Sequence, residues 1–297
     1  MKHHELSSNR ADALLLVTAM IWGLAFTAQR SGMAVIGPFA FSAARFALGG
    51  LALLPFLAAS RRRPARLPEH APRGLRKAGP LLLIGLVLFV AANLQQVGLV
   101  YTTAANAGFV TSLYVVLVPI VGIFLGKRTG ARTWAGALLA VVGLYVLSVG
   151  GDFSVNPGDL FVLGSALVYT AHILLINHYA ERIPPLEISL AQIAVCAVLS
   201  LAAALLWEPE PFAGLVPAAI PILYGGLFSI AVAYTLQIVA QKTAHPARAS
   251  IIMSMEALFA GVGGVLILGE ALTPRLAAGG ALMLAGVVFS QWEPAAK

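Results

Sequence analysis

Two charged side chains stand inside otherwise apolar runs: Arg45 within Pro38–Ala59 and Glu256 within Ala249–Leu268. A charge at the bilayer centre costs about 2.5–3.5 kcal/mol on insertion scales. Each therefore needs a partner, water or a ligand. A salt bridge between the two would relieve both desolvation costs, and its opening and closing would be a gating device. Otherwise Arg45 snorkels to the membrane face, or Glu256 titrates as a proton-coupling site.

Aromatic and amide side chains recur at helical spacing in the same kind of run. Trp22 and Gln29 are seven residues apart; Tyr169 and His172 are three apart. Those spacings keep each pair on one helix face. Such faces would suit a zwitterion with a flat side chain, or serve as packing aromatics. His172 is mid-span, where an ionisable residue is a functional candidate by default and a satisfied structural histidine is the other reading. Asn93 with Gln96, and Tyr234 with Gln237 and Gln241, repeat the spacing. Amides in a bilayer want partners. They either join helices or bind the amino and carboxyl groups of a substrate. Tyr101 and Tyr114 are further candidates, although Tyr101 ends a span, where an aromatic belt accounts for it. Pro119 removes a backbone hydrogen bond and offers either a hinge or simple curvature.

The elements that must position these residues are membrane helices. The chain has 297 residues, 59% hydrophobic and 10% charged, and a mean hydropathy of +0.88. Soluble domains carry about 25% charged residues. The apolar runs are helix-length, unlike the roughly 10-residue alternation of an outer-membrane barrel. The run Ala249–Leu268 rises about 30 Å as a helix, one hydrocarbon thickness. Its Leu, Ile, Val and Phe residues each return roughly −0.3 to −0.6 kcal/mol, so with Glu256 the insertion balance is near zero. That helix needs neighbours.

Ten spans are expected, near 12–29, 38–59, 79–101, 105–125, 133–149, 159–179, 186–207, 218–241, 249–268 and 276–291. The net charge of +7 does not point to nucleic acid, because the cations sit in short loops between spans. With the N-terminus in the cytoplasm, sixteen of the nineteen Lys and Arg residues fall on the cytoplasmic side, including the cluster from Arg61 to Lys77. Outside loops carry Asp152, Glu208, Glu210 and Glu270. N-in and C-in is the expected topology. Cys196 is the single cysteine, so no internal disulfide or Cys-based metal site forms. No cofactor is expected.

The two halves repeat. At an offset of 147, Asp12, Trp22, Pro38 and Ser42 match Asp159, Tyr169, Pro185 and Ser189. At an offset of 143, Leu125-Gly126, Arg132, Gly136 and Gly143 match Leu268-Gly269, Arg275, Gly279 and Gly286. Glu256 then matches Leu113, and Glu270 matches Lys127. Five crossings per unit is an odd number, so the second copy must sit upside down. Inverted-topology repeats place a transport site near the midplane at the repeat interface. The expected division is a cytoplasmic tail 1–11, repeat one 12–150, a periplasmic linker 151–158, repeat two 159–291 and a cytoplasmic tail 292–297.

The chain resembles the drug/metabolite transporter superfamily, specifically the ten-helix EamA-type exporters. The residues that carry the resemblance are Leu268-Gly269-Glu270-Ala271-Leu272-Thr273, then Gly279-Gly280 and Gly286, with Trp22-Gly23, Arg45 and Pro119. Lys127 departs from that pattern at the position equivalent to Glu270. The resemblance implies export of amino acids, related metabolites or drugs across the bacterial inner membrane without ATP, with aromatic or hydrophobic amino acids preferred. The partners it implies are a small-molecule substrate, the bilayer and protons as a candidate co-substrate, for a monomer or weak dimer. A multidrug or other metabolite carrier of the same fold is an alternative. An enzyme is disfavoured by the lack of His-Glu-x-x-His, Gly-x-Ser-x-Gly, P-loop or paired-aspartate motifs. A passive channel would want a continuous polar path, whereas the polar residues here are sparse.

Overall fold

A computed structural model describes residues 7–61, 77–148, 157–268 and 273–291. The basic connection 62–76, the loop at 149–156, Glu270 with its neighbours Gly269, Ala271 and Leu272, and both tails lie outside the described residues. Every regular element among those described is helical: α1 (Ser8–Gly32), α2 (Pro38–Arg61), α3 (Ala78–Tyr101), α4 (Ala104–Ser112), α5 (Tyr114–Phe124), α6 (Ala131–Ser148), α7 (Pro157–Tyr179), α8 (Pro185–Trp207), α9 (Ala219–Tyr224), a π-helical stretch (Gly225–Ala233), α10 (Tyr234–Gln241), α11 (Pro246–Met253), α12 (Glu256–Leu268) and α13 (Pro274–Gln291). Taken with continuous neighbours, these give eight crossings long and apolar enough to span a membrane, plus the shorter apolar helices α6 and α13.

Several helices begin a residue or more ahead of the apolar runs, and proline explains it. α2, α7, α8, α11 and α13 all start on a proline. The first helical position has no use for an N–H, and the fixed φ of proline suits it.

Two crossings expected as continuous helices are broken. The fourth pauses at Leu113, between α4 and α5. The ninth pauses at Ser254 and Met255, between α11 and α12. Under the 143-residue offset, Ser254 and Met255 correspond to Thr111 and Ser112, directly ahead of Leu113. The fourth-span break does not lie at Pro119, which is buried inside α5. Glu256 becomes the first residue of a half-helix.

Packing follows the same correspondence. α1 lies against α12, the π-helical stretch and α10, while α7 lies against α3, α4 and α5. α2 pairs with its sequence counterpart α8, and α6 with its counterpart α13. The last pair runs antiparallel with reciprocal contacts. A Cβ on Gly136 would fall 2.6 Å from the Gly286 carbonyl oxygen, and one on Gly143 would fall 2.7 Å from that of Gly279. Small residues let helix backbones meet this way without a hydrophobic drive between them. Gly143→Val is expected to cost about 1–3 kcal/mol through overpacking. The readout is the thermal midpoint of purified protein in detergent, and an unchanged midpoint would refute the close contact.

The Trp22-Gly23 pair has a related role. A Cβ on Gly23 would sit 2.5 Å from the Glu256 carbonyl oxygen. The glycine therefore brings α1 onto the start of α12 and Trp22 to the middle of the bundle.

Candidate functional site

A cavity of about 40 Å³ lies where α1, α7, the two broken crossings and the π-helical stretch converge. On α1, Trp22, Phe26 and Gln29 line it from one face. Tyr169 and Ile173 of α7 line the opposite wall, with Tyr234 and Gln237 of α10 beside them. Trp22 meets Tyr234 edge-on at 4.9 Å between centroids. The Tyr169 and Tyr234 hydroxyls are 3.2 Å apart. The Trp22 indole N–H donates to the Ser229 carbonyl in the π-helical stretch at 3.2 Å. π-Helical turns are rare and frequent at functional sites; this one turns a carbonyl toward α1 and so fixes the indole.

The charged poles sit in the same cavity. Arg45 is 3% exposed and lines it from α2. Its Nη1 donates to Gln29 Oε1 at 2.7 Å, and its Nε has no partner. The guanidinium also lies 5.4 and 5.3 Å from the Phe41 and Phe46 ring centroids. Glu256, likewise 3% exposed, accepts a hydrogen bond from the Tyr114 hydroxyl at 2.9 Å. Arg45 and Glu256 do not pair with each other; ion pairs among the described residues include Lys77–Glu187 and Arg248–Asp12.

The other sequence candidates are placed as follows. Asn93 faces α8, donating to Ser200 Oγ and the Phe89 carbonyl, both at 2.9 Å. Gln96 is fully buried beside it, with neither amide atom bonded. The neighbouring amide, Gln95, turns to the cavity and donates to Thr111 Oγ1 at 3.0 Å. His172 stands behind the aromatic wall, 2.9 Å from Gln192 Oε1, its ring edge-on to Tyr169 and Tyr234. Gln192 is the sequence counterpart of Arg45 under the 147-residue offset. In each half, then, a polar residue of the second helix bonds one of the first. Gln241 donates to the Ile173 carbonyl, and Tyr101 is 60% exposed. Gln95, Thr111, Phe26 and Met253 also line the cavity and carried no separate sequence signal. Phe26 alone is foreshadowed, by its position one turn after Trp22.

Polar contacts join the helices at the end where α1 begins. Lys127 Nζ donates to Asn177 Oδ1 at 2.5 Å, and Asn177 Nδ2 donates to the Gln241 and Ala244 carbonyls at 3.2 and 3.1 Å. Arg248 bonds Asp12 at 2.7 Å. These contacts tie α5, α7, α10, α11 and α1 together. At the opposite end Glu208 accepts from the Phe39 and Ala40 backbone N–H groups at 2.7 and 3.0 Å, satisfying orphan donors in the first turn of α2. Asn177→Ala removes the side chain that joins three elements. It is expected to cost about 1–3 kcal/mol and to raise thiol labelling of a cysteine placed at Met253 (in a Cys196→Ala background) from that end. Unchanged labelling would show that the contact is no seal.

The profile of the EamA-like transporter family matches the chain twice, over residues 9–149 and 156–292. The chain belongs to the EamA-like transporter family. An Archaeoglobus fulgidus protein described as an uncharacterized transporter is 34% identical over 280 residues, covering 94% of this chain and 85% of the relative. The Bacillus subtilis uncharacterized transporter YwfM is 26% identical over 300 residues, covering 97% and 96%. The Escherichia coli K12 uncharacterized inner membrane transporter YedA is 29% identical over 157 residues, covering 50% and 47%. A solved crystal structure superposes with a TM-score of 0.77 at 21% identity, covering 95% of this chain and 96% of that one, which shows a shared fold. This EamA-like chain is a multi-pass inner-membrane protein and a transporter.

Proposed function

We propose that this transporter exports zwitterionic amino acids with aromatic or hydrophobic side chains, by alternating access and without ATP. The observation that carries the reading is the pair of unmatched charges in one aromatic-walled cavity. Arg45 takes the substrate carboxylate with its free guanidinium N–H groups, and Glu256 takes the ammonium. Trp22, Tyr169 and Tyr234 face the side chain. Gln29, Gln95 and Gln237 complete the polar lining; the side-chain Oε1 of Gln237 has no partner. A buried charge without its counter-ion is costly, and a zwitterion supplies both counter-ions at once.

Alternating access rests on two five-helix repeats of opposite orientation, N-in and C-in. The double match of the family profile, the breaks at adjacent positions under the 143-residue offset and the antiparallel α6–α13 pair support it. So does the cavity size. About 40 Å³ admits only about three waters, each of which needs roughly 10–15 Å³. An amino acid therefore fits the cavity only when the packing around it opens.

Counterflow in proteoliposomes tests the reading. Internal unlabelled phenylalanine, tyrosine or leucine is expected to drive saturable accumulation of labelled phenylalanine, with and without a pH gradient. If aromatic amino acids neither move nor compete, the substrate class is wrong. Non-saturating flux would favour a channel.

A further inference from the structure

Among the described residues that line the cavity, two buried side-chain atoms have no partner: Arg45 Nε and Gln237 Oε1. One donates and the other accepts. Their neighbours in the lining answer one another. The Trp22 indole N–H is taken by the Ser229 carbonyl, the Tyr169 and Tyr234 hydroxyls share a hydrogen bond, Gln95 donates to Thr111, and Tyr114 donates to Glu256. Gln237 is 1% exposed.

The register between α1 and the crossing that carries Gln237 places this acceptor. Thr18 Oγ1 donates to the Ala233 carbonyl at 3.4 Å, and Trp22 Nε1 to that of Ser229 at 3.2 Å. Residue numbers fall on one crossing as they rise on the other, so the two run antiparallel. Gln237, one turn past Ala233, therefore lies toward the start of α1. Gln29, which holds Arg45, lies two turns the other way from Trp22. The order through the cavity is Arg45, then the rings of Trp22, Tyr169 and Tyr234, then Gln237. At the level of Gln237, Leu15 of α1 and Ala240 of α10 share one apolar core with Ile173 and Met253, which also line the cavity.

A buried acceptor without a donor is costly, and a site built around one rejects an analogue that cannot supply the donor. We infer, on the footing of the carboxylate contact proposed for Arg45, that the preferred substrates carry a hydrogen-bond donor at the far end of an aromatic side chain, a phenol or an indole, and that Gln237 selects it. Phenylalanine fills the same walls and leaves Oε1 unanswered. Tyrosine and tryptophan answer it.

The experiment is competition against labelled tryptophan on purified full-length protein. Tyrosine is expected to compete roughly 5- to 150-fold better than phenylalanine, the range for a buried polar group gaining or losing its partner. Tryptophan should exceed benzothienylalanine, in which sulfur replaces the indole N–H, by a similar factor. Gln237→Met removes the acceptor and keeps the length. In it tyrosine and phenylalanine should compete equally, with phenylalanine no weaker than on the wild type, whereas a merely structural loss would weaken both. The tryptophan pair on wild-type protein decides the matter if that variant does not elute as a folded species. A wild type that binds tyrosine and phenylalanine alike, or tryptophan and benzothienylalanine alike, overturns the role of Gln237 and leaves the amino-acid reading standing. A tyrosine preference that persists in Gln237→Met does the same. If tryptophan, tyrosine and phenylalanine all fail to bind, the amino-acid reading falls and the role of Gln237 falls with it.

Discussion

Arg45→Gln is expected to lower the affinity for a zwitterionic amino acid by about 30-fold to more than 1,000-fold, the 2–5 kcal/mol typical of truncating one partner of a buried, hydrogen-bonded charge pair. The reason lies in the partners that Arg45 has and lacks. One guanidinium N–H is satisfied by Gln29, while Nε is buried and unbonded. A carboxylate would occupy the free side of the fork, and Arg presents that fork in a geometry Lys does not reproduce. Arg45→Lys should therefore recover only part of the affinity. A ligand cycle separates this from a folding defect. Wild-type protein should discriminate phenylalanine from phenethylamine, which lacks the carboxylate, and Arg45→Gln should not. Removing a desolvated cation can even raise stability, so a thermal midpoint at or above wild type is compatible with lost binding. Equal discrimination in the variant would refute the carboxylate role.

Much of this site can be read from the chain before it folds, and the reasons are local. Trp22 and Tyr169 are found through the sequence repeat, which matches them, and both line the cavity. Arg45 and Glu256 are found through cost: a charge in an apolar run has few bland explanations. What sequence does not reveal is helix rotation. Gln95 and Gln96 differ by about 100° of helical phase, and nothing local says which faces the cavity. Packing of α3 on α7 and α8 decides it, sending Asn93 to Ser200 and Gln95 to Thr111. The helix breaks are hidden for a similar reason. Leu113, Ser254 and Met255 include no glycine or proline, the residues that usually mark an interruption, whereas Pro119 looks like a breaker and sits inside a helix. The offset places the two breaks side by side, but only once the breaks are known.

The break in the ninth crossing bears on the second large effect, that of Glu256→Gln. Glu256 opens α12, where the helix dipole favours an anion. Its sequence counterpart, Leu113, has no charge, and Glu256 is the carboxylate that lines the cavity. A substrate ammonium and a proton compete for that one group. Under the proposed function the ionised carboxylate would hold the amino acid and its protonation would release it, and export would then be coupled to inward proton movement. The prediction has two parts. Glu256→Gln should weaken binding by about 10- to 150-fold, the 1.5–3 kcal/mol of a hydrogen bond to a charged group. It should also flatten the pH dependence of the residual counterflow, because an amide does not titrate. Tyr114→Phe is the control: it removes the 2.9 Å hydrogen bond to Glu256 but leaves the carboxylate, so the pH response should persist with a shifted midpoint. Counterflow measured across a pH series without a gradient distinguishes the cases. A wild-type pH response in Glu256→Gln would move proton coupling to another residue and leave Glu256 as a substrate contact alone.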